Sequence, residues 1–265
     1  LPAVVGLAFG SLTAPPPPGA VGVQLEGTNI RISSHAAPLL EGLDPTLRAS
    51  PSASGGIFLH GDFRSPCATA DVALGSLRCS RLLACARCTR YWMAPAVASD
   101  ASDIPLDTQF LLIELDTKCN QDGEFGQNGL AANQRQKYAL MLPLVDRTAR
   151  SSLSGASAQA PRKFRKLLSW LWPHGHHSCA LKLHVETGDD AVAVPAGAGL
   201  VYVAAGSDPY ELIERGIAEV AQRLGTFRTR SEKEVPVAAD VFGWCTWDGF
   251  YSKVTPDAVS YTHLR

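Results

Sequence analysis

The chain of 265 residues has almost no net charge and no long apolar run. Its 24 Lys and Arg residues nearly balance its 25 Asp and Glu residues, which leaves a formal net charge of −1. A chain with this balance of charges has no net electrostatic attraction to nucleic acid or to an anionic membrane. No apolar run approaches the roughly 18 residues that a membrane-spanning helix needs. We therefore expect neither nucleic acid nor a membrane as a partner.

Several motifs of catalytic and cofactor sites are missing as well. The sequence contains no Gly-x-Ser-x-Gly motif, no glycine-rich phosphate loop and no dinucleotide-binding fingerprint. Cys85 and Cys88 form one Cys-x-x-Cys pair, but no second pair follows at the distance of a zinc site. Residues 116–129 resemble a calcium loop, yet with Gly123 as the invariant glycine, Lys118 occupies the first ligand position. We predict no cofactor and no metal.

The seven cysteines are an odd number without a regular spacing. This pattern fits a reducing compartment better than a secreted protein stabilised by disulfides. Residues 1–14 are apolar, but they carry no basic start and lead into four prolines, unlike a signal peptide. We interpret them as the exposed start of an incomplete sequence and predict a cytoplasmic protein.

Short apolar segments between turn residues predict many β-strands. Hydrophobic residues make up 46% of the chain, which is enough for a sizeable core. Residues 110–115, 138–145 and 200–204 are apolar runs of strand length, and the proline in the second run favours an edge strand or a bulge. In residues 180–186, Leu and Val alternate with Lys, His and Glu, as in a half-buried antiparallel strand. Many short strands of this kind predict a β-sandwich.

One helix is predicted over residues 209–224. Asp208 offers an N-cap carboxylate, Pro209 occupies the first helical position, and Glu211 occupies the third. Apolar residues then recur at helical spacing, and Gly225 stands where a helix-ending glycine belongs.

The most informative segment is residues 241–259. An apolar start leads into Trp244 and Trp247, Asp248 follows at once, and two further aromatic residues come after it. Flat aromatic faces beside a carboxylate suit a sugar, whose C–H groups stack on the rings while its hydroxyls donate to the carboxylate. The alternative is a buried aromatic strand, which is the commoner reason for two tryptophans at this spacing.

The string Phe242-Gly-Trp-Cys-Thr-Trp-Asp-Gly-Phe-Tyr251 resembles the signature of the raffinose synthase, stachyose synthase and alkaline α-galactosidase group of plants, in glycoside hydrolase family 36. Other segments resemble the same family in the right order, and the similarity covers roughly residues 80–260. These segments are residues 92–95, 103–114, 138–146, 185–189, 205–210 and 224–228.

The resemblance implies a mainly β fold, in which an N-terminal β-sandwich is followed by a linking helix and the first strand of a (β/α)8 barrel. Only a truncated barrel would fit in this chain. The expected domains are a low-complexity start at 1–20, a β-sandwich at 21–207 with insertions near 116–135 and 151–178, a linking helix and connector at 208–239, and the start of the barrel at 240–265.

Active sites of such barrels lie at the C-terminal ends of the strands, which is where the signature would fall. The resemblance implies that Trp247 is a stacking platform for galactose and that Asp248 is a polar neighbour or hydroxyl acceptor. It also implies that Trp244, Cys245 and Phe250 pack the barrel interior. The family's catalytic aspartates lie on later barrel strands, so we expect no catalytic residue in this chain.

The chemistry that the resemblance implies is retaining α-galactosyl transfer. One carboxylate attacks the anomeric carbon, a second protonates the leaving group, and the covalent galactosyl-enzyme passes its sugar on. A raffinose synthase uses galactinol as donor and sucrose as acceptor. We interpret the chain as an N-terminal fragment of such an enzyme that is inactive alone.

Sequence spacing by itself nominates no pair of catalytic carboxylates. Glu186, Asp189 and Asp190 follow a predicted strand, and we interpret them as turn residues. The tail, residues 260–265, departs from the family and is interpreted as out-of-frame or vector-like sequence.

Two other functions stay open. A stachyose synthase fragment would extend raffinose and an alkaline α-galactosidase fragment would use water, so both differ in an acceptor pocket that these residues do not contain. A non-catalytic carbohydrate-binding module would have to fold alone and bind galactosides through Trp247. In each case the expected partners are small sugars.

Overall fold

The structure is a computed structural model of the chain. It describes residues 22–63, 67–89, 91–115, 136–156, 180–242 and 252–263. The chain divides into two units between Gly225 and Thr226. The first unit is mainly β, and short helices are the regular elements described in the second. None of the helices in these ranges is long and apolar enough to cross a membrane.

The first unit contains fourteen described strands, and every pairing between them is antiparallel. The expectation of a mainly β protein is thus confirmed. The strands are β1 (Val23–Glu26), β2 (Asn29–Ile32), β3 (Leu40–Glu41), β4 (Leu47–Pro51), β5 (Ile57–Gly61), β6 (Thr69–Leu77), β7 (Arg81–Arg87), β8 (Met93–Ala98), β9 (Thr108–Glu114), β10 (Tyr138–Pro143), β11 (Val145–Asp146), β12 (Ala149–Gly155), β13 (Ala180–Glu186) and β14 (Gly199–Gly206).

The strands form one sheet that is nearly closed on itself. Its order is β1–β2–β3–β6–β13–β12–β9–β10–β14–β5–β4, and β7 and β8 branch from β9. Strands β12 and β9 are joined by a single residue pair, Leu153 with Thr108. At the ends of the sheet, the Val23 amide donates to the Gly55 carbonyl at 2.8 Å, so β1 lies against the turn between β4 and β5. The sheet therefore has two halves with a narrow junction.

Side chains from both halves meet in one large core. On β13, Leu181, Leu183 and Val185 are fully buried while the residues between them are half-buried or exposed, which confirms the predicted alternation. From the other half, Leu111 and Ile113 of β9 enter the same cluster. Removal of these apolar side chains from water is the main term that stabilises the unit.

Strand β10 lies inside the sheet, between β9 and β14. The expectation that Pro143 marks an edge or a bulge is therefore wrong. Pairing with β9 ends at Met141, whereas pairing with β14 continues to Pro143 opposite Val201. Because Pro143 ends its strand beyond the last residue paired with β9, its missing N–H interrupts no ladder on that side.

Helix α1 (Pro209–Leu224) confirms the predicted helix at both ends. The Asp208 carboxylate accepts hydrogen bonds from the amides of Tyr210 and Glu211 at 2.8 and 3.0 Å. At the other end, Gly225 adopts a left-handed φ of 65° and donates its amide to the Ala221 carbonyl. Both ends are thus terminated by local hydrogen bonds that the sequence specifies.

The buried face of α1 packs on β10 and β14. Leu212 and Val220 belong to a second core cluster together with Leu140 and Tyr202. A β-carbon on Gly216 would lie 2.7 Å from the Leu140 side chain, so the glycine lets the helix approach the sheet closely.

The second unit has no buried residue among positions 226–242 and 252–260, the part for which burial is described. The Thr229 amide and hydroxyl both donate to the Glu232 carboxylate, at 2.7 and 2.6 Å, which fixes one local turn. Val235 and Val237 are 73% and 80% exposed. The described elements are 3-10 helices at Arg230–Glu232 and Val237–Ala239 and helix α2 (Pro256–His263).

Candidate functional site

The predicted sugar-binding residues, Trp247 and Asp248, fall in residues 243–251, outside the described ranges. The same holds for Trp244, Cys245 and Phe250. The roles assigned to these five residues therefore stay predictions.

The structure does describe the chain on both sides of this segment. Val241 is 58% exposed, and the side chain of Phe242 is fully exposed. On the other side, the Thr255 hydroxyl accepts a hydrogen bond from the Ala258 amide at 3.2 Å and so caps the start of α2. The signature is thus preceded by unburied apolar side chains and followed by a capped helix.

A row of ionisable side chains crosses β6, β13 and β12 in the first unit. His184 Nδ1 lies 2.7 Å from Asp71 Oδ1, and His184 Nε2 lies 3.7 Å from Glu186 Oε2. One imidazole therefore stands between two carboxylates. We call the row the charged ladder, and its members are Asp71, His184, Glu186, Arg150, Asp107 and Arg87.

Arg150 links the two halves of the charged ladder. Its Nε donates to Glu186 Oε1 at 2.9 Å, its Nη2 also donates to Glu186, and its Nη1 donates to Asp107 Oδ1 at 2.9 Å. Asp107 Oδ2 accepts a hydrogen bond from Arg87 Nε at 2.7 Å, and Asp107 Oδ1 accepts one from Gln109 Nε2 at 2.8 Å. Asp107 stands in the turn before β9 with a φ of 57°, a backbone conformation that Asp tolerates better than most residues.

The arginines lower the pKa values of both carboxyl groups. Hydrogen bonds from Arg150 hold the pKa of Glu186 below its ordinary 4.5, against an opposing effect of burial. Burial alone would raise the pKa of Asp107, but the Arg87 hydrogen bond and the Arg150 charge together lower it below 3.8. A general acid of a glycosidase needs a raised pKa, so these two carboxylates are ionic anchors rather than proton donors.

The charged ladder corrects the interpretation of Glu186 as a turn residue. Glu186 is the last residue of β13 and pairs in register with Arg150 of β12. Asp189 does act in a turn, where its carboxylate accepts from the Ala191 amide at 2.9 Å. The alternation on β13 placed His184 and Glu186 on the outward face, but nothing local in the sequence indicated Arg150, which lies 36 residues away.

A second polar contact joins β4 and β5. Ser50 Oγ lies 2.6 Å from His60 Nε2. Burial lowers the pKa of His60 below 6.5, and the Arg223 charge lowers it further, against a backbone hydrogen bond to Gly197 and the charge of Asp146. A neutral imidazole in contact with a hydroxyl has the chemistry of a base beside a nucleophile. Here the contact between Ser50 and His60 joins two neighbouring strands, β4 and β5, of one hairpin.

A cavity of about 260 Å³ lies at one end of the sheet. Its walls are mostly apolar, with His35, Arg78 and Asp100 at the polar positions. Arg78 is already paired with Glu41 at 3.0 Å. Among the residues that the structure describes, no Phe, Tyr or Trp lines the cavity, so these residues offer it none of the usual stacking surfaces for a sugar. The lining residues are Ile32, His35, Ala37, Pro38, Leu39, Leu77, Arg78, Cys79, Ser99, Asp100, Ala101 and Leu115.

The Cys-x-x-Cys pair lies on and just after β7. Cys85 is half-buried within the strand, whereas Cys88 is exposed and its thiol contacts the Trp92 carbonyl at 3.3 Å. Within the described ranges, no group of three or more His, Cys, Asp or Glu side chains is placed to hold a metal ion. Residues 116–135, the polar loop considered for calcium, lie outside those ranges.

Comparison with known protein families gives a match along most of the chain. The family described as "Raffinose synthase or seed imbibition protein Sip1" matches residues 28–161 and 164–263. The chain belongs to this family.

The curated relatives of this family member are plant enzymes. The chain is 32% identical over 241 residues to probable galactinol–sucrose galactosyltransferase 6 of Arabidopsis thaliana, covering 89% of this chain and 29% of the relative. It is 27% identical to galactinol–sucrose galactosyltransferase of Oryza sativa subsp. japonica, covering 89% and 28%. It is 24% identical to stachyose synthase of Pisum sativum, covering 69% and 17%. The chain thus spans less than a third of the length of these relatives.

The matched ranges include all the segments that carried the resemblance. They begin at residue 28, well before the start of the similarity expected near residue 80. They extend to residue 263, so they include four of the six tail residues that we expected to depart from the family. The break at 162–163 falls within the second predicted insertion.

Proposed function

We propose that this chain forms the N-terminal part of a galactosyltransferase that makes raffinose from galactinol and sucrose. The observation that carries the proposal is the 32% identity to probable galactinol–sucrose galactosyltransferase 6 over 89% of the chain. The rice relative of the same name, matched over the same share of this chain, supports it further.

In the proposed architecture, residues 21–207 are a β-sandwich, 208–239 are the linking helix and connector, and 240–265 begin a (β/α)8 barrel. The two halves of the sheet, joined by one residue pair and packed over a shared core, support the sandwich. The absence of buried residues in the described part of 226–263 supports a connector whose partners lie elsewhere.

In the proposed mechanism, Trp247 stacks on the galactosyl ring and Asp248 accepts a hydrogen bond from one of its hydroxyls. Two carboxylates on later barrel strands carry out the retaining transfer, one as nucleophile and one as acid and then base. The lowered pKa values of Asp107 and Glu186 disfavour either group as the general acid of this transfer, which needs a raised pKa.

The proposal is tested by grafting residues 28–263 into the rice enzyme in place of the matching region. We expect the chimaera to form raffinose from galactinol and sucrose, with the product measured by chromatography. Trp247→Ala should lower kcat/KM for galactinol about tenfold or more, because it removes the stacking surface. Tyr210→Ala, at a side chain 78% exposed on α1, is the control and should leave kcat/KM unchanged. A folded chimaera that makes no raffinose would contradict the proposal.

A stachyose synthase or an alkaline α-galactosidase is the second candidate. The 24% identity to pea stachyose synthase over 69% of this chain supports the first of these. Product analysis of the full-length enzyme that contains this chain, supplied with sucrose, raffinose or neither, separates the cases, because the acceptor pocket lies outside these residues. Stachyose formed from raffinose, or free galactose formed with sucrose present, would favour the alternative.

A carbohydrate-binding module is the third candidate, and the separate core of the first unit supports it. Calorimetric titration of the 265-residue chain with raffinose and with galactinol tests this function. Binding that disappears in Trp247→Ala without any turnover would favour the module over the transferase.

We also propose that the protein works in the cytosol on small sugars. The odd number of cysteines supports a reducing compartment.

A further inference from the structure

A serine and a histidine contact each other on one face of the β4–β5 hairpin. Ser50 Oγ lies 2.6 Å from His60 Nε2, which is a hydrogen-bond distance. The register of the hairpin places Ser50 opposite Phe58 and His60 opposite Arg48, so the serine and the histidine are diagonal neighbours on that face. Both residues are half-buried, and the pair is therefore partly open to solvent.

The histidine ring is also held by the loop before β14. His60 makes a hydrogen bond with the backbone of Gly197, and this bond favours the protonated ring, so the ring is the donor and the carbonyl is the acceptor. The donating N–H is assigned to Nδ1, because Nε2 faces Ser50. The loop is itself fixed, since the Gly197 amide donates to the Gly61 carbonyl at 3.0 Å. A carbonyl thus orients an imidazole, and the imidazole faces a hydroxyl, as at a nucleophilic serine.

The surroundings of the imidazole favour its neutral form. Burial lowers the pKa of His60 below 6.5, and the charge of Arg223 on α1 lowers it further, against a backbone hydrogen bond and the charge of Asp146. Arg48 lies directly opposite on β4, so a second cation shares this face of the hairpin. A neutral ring keeps a lone pair on Nε2, which can accept the proton of the serine hydroxyl near neutral pH.

Arg223 places a positive charge over the same hairpin. Its guanidinium carbon lies 5.6 Å from the centre of the Phe58 ring, and Phe58 is directly opposite Ser50. Phe58 is held in turn by Tyr202, whose ring centre lies 4.9 Å from its own. A fixed cation near a nucleophile stabilises the negative oxygen that forms when the nucleophile adds to a carbonyl group. The hairpin and α1 therefore bring together a nucleophile, a base and a cation.

A second serine–histidine contact in the chain lacks one feature of this pair. Ser34 Oγ lies 3.0 Å from His35 Nδ1, but the Ser34 hydroxyl donates to Gln136 Oε1 at 2.8 Å. A hydroxyl carries a single proton, so Ser34 has none to give to His35. Both residues are half-buried, as Ser50 and His60 are. The Ser34–His35 contact is therefore a matched control for the pair on the hairpin.

We propose that Ser50 and His60 form an acyl-transfer site for small carboxylic esters. Ser50 Oγ attacks the ester carbonyl carbon while His60 Nε2 takes the hydroxyl proton, and the charge of Arg223 stabilises the negative oxygen. The bond between the carbonyl carbon and the alcohol oxygen then breaks, His60 returns its proton to the leaving alcohol, and the acyl group stays on Ser50. A water molecule that gives its proton to His60 releases the carboxylic acid and restores the serine. This site is independent of the galactosyl chemistry proposed above.

The experiment is the hydrolysis of p-nitrophenyl acetate by the 265-residue chain, with acetylated peptides mapped by mass spectrometry after acid quenching. We expect the acetyl group on Ser50. Ser50→Ala and His60→Gln should each lower the rate constant about tenfold or more, since each removes one partner of the proton transfer. Ser34→Ala is the control and should leave the rate constant unchanged. The rate should rise with pH and level off below about pH 7, because burial holds the pKa of His60 below 6.5 and the neutral ring is the base.

A second probe, diisopropyl fluorophosphate, keeps the proposal testable if a variant does not fold. An activated serine attacks its phosphorus, fluoride leaves, and the serine proton passes to the base, so the unaltered chain alone gives a result. We expect the label on Ser50 and none on Ser34. Circular dichroism establishes that each variant is folded. An unaltered chain that takes no label on Ser50, or a folded Ser50→Ala variant that hydrolyses the ester at the unaltered rate, overturns the proposal.

Discussion

Residues 22–225 bury the apolar side chains of their strands, whereas the described part of residues 226–263 leaves its apolar side chains exposed. In the first region Leu111, Leu153 and Leu183, from three strands, are fully buried in one core. In the second, Val237 is 80% exposed and Phe242 fully so. The same family match covers nearly all of both regions, so this difference is not one of family membership.

The difference teaches where the free energy of folding comes from. Apolar burial contributes about 25 cal/mol for each Å² removed from water, so exposed valines contribute almost nothing. The 3-10 turn at Thr229 and Glu232 is held by hydrogen bonds that are open to solvent. We therefore expect the first region to determine the stability of the chain.

The sharpest test of this comparison is a pair of substitutions that shorten one side chain in each region. Leu183→Ala should lower the free energy of unfolding by about 2–5 kcal/mol, since it removes a fully buried side chain from β13 and leaves a cavity. Val237→Ala should change it by less than about 0.5 kcal/mol. Urea unfolding measures both, and comparable losses in the two variants would show that the second region has a core as well.

Glycines test whether close packing in the first region matters beyond apolar burial. Gly75 and Gly27 both have positive φ, at 80° and 60°. A β-carbon on Gly75 would lie 1.9 Å from the Glu41 carbonyl oxygen, whereas one on Gly27 would meet no atom within 4 Å. Gly75→Ala should therefore destabilise the chain by about 1–3 kcal/mol more than Gly27→Ala in urea unfolding. Equal losses would mean that backbone conformation alone sets the cost.

The charged ladder sharpens the comparison through pH. In the folded chain, the pKa values of Asp107 and Glu186 lie below their ordinary 3.8 and 4.5. The two ionised carboxyl groups therefore stabilise the fold at pH values above these ordinary values. This stabilisation is lost as the pH falls through the folded-state pKa values. Arg150→Met should cost about 1–2 kcal/mol at pH 7 and flatten the loss below pH 4.5. Glu232→Gln, in the second region, removes a fully exposed carboxyl group whose pKa is also lowered, and it should change the acid limb much less than Arg150→Met does, because solvent weakens its hydrogen bonds with Thr229. Thermal melts from pH 3 to 7 measure both variants, and an acid limb that is unchanged in Arg150→Met would contradict the assignment.

The sequence predicts those features of a helix or strand that depend only on residues within it or directly beside it. Helix α1 was predicted at both ends because Asp208 and Gly225 act within one turn of the chain. The buried face of β13 was predicted because its alternation needs no knowledge of its neighbours.

Non-local pairing is what the sequence left open. Pro143 predicted an edge strand, yet β10 is central, because the order of strands depends on contacts between distant segments. The ion pair of Arg150 with Glu186 depends on the register of β12 and β13. The sugar-site roles of Trp247 and Asp248 rest on a motif and on family membership, and they stay predictions.

The smallest expected effect comes from ending the chain after Gly225. The C-terminal cap of α1 is complete at that residue, since its amide already donates to the Ala221 carbonyl at 2.9 Å. Removing the second region should therefore shift Tm by less than about 2 °C, equivalent to under about 1 kcal/mol for a unit of this size. Ending the chain after Ser207 instead removes α1 and uncovers Leu140 and Tyr202, and this control should unfold far more easily. If the chain ended at Gly225 loses as much stability as that control, the exposed second region supports the first, and the contrast between them fails.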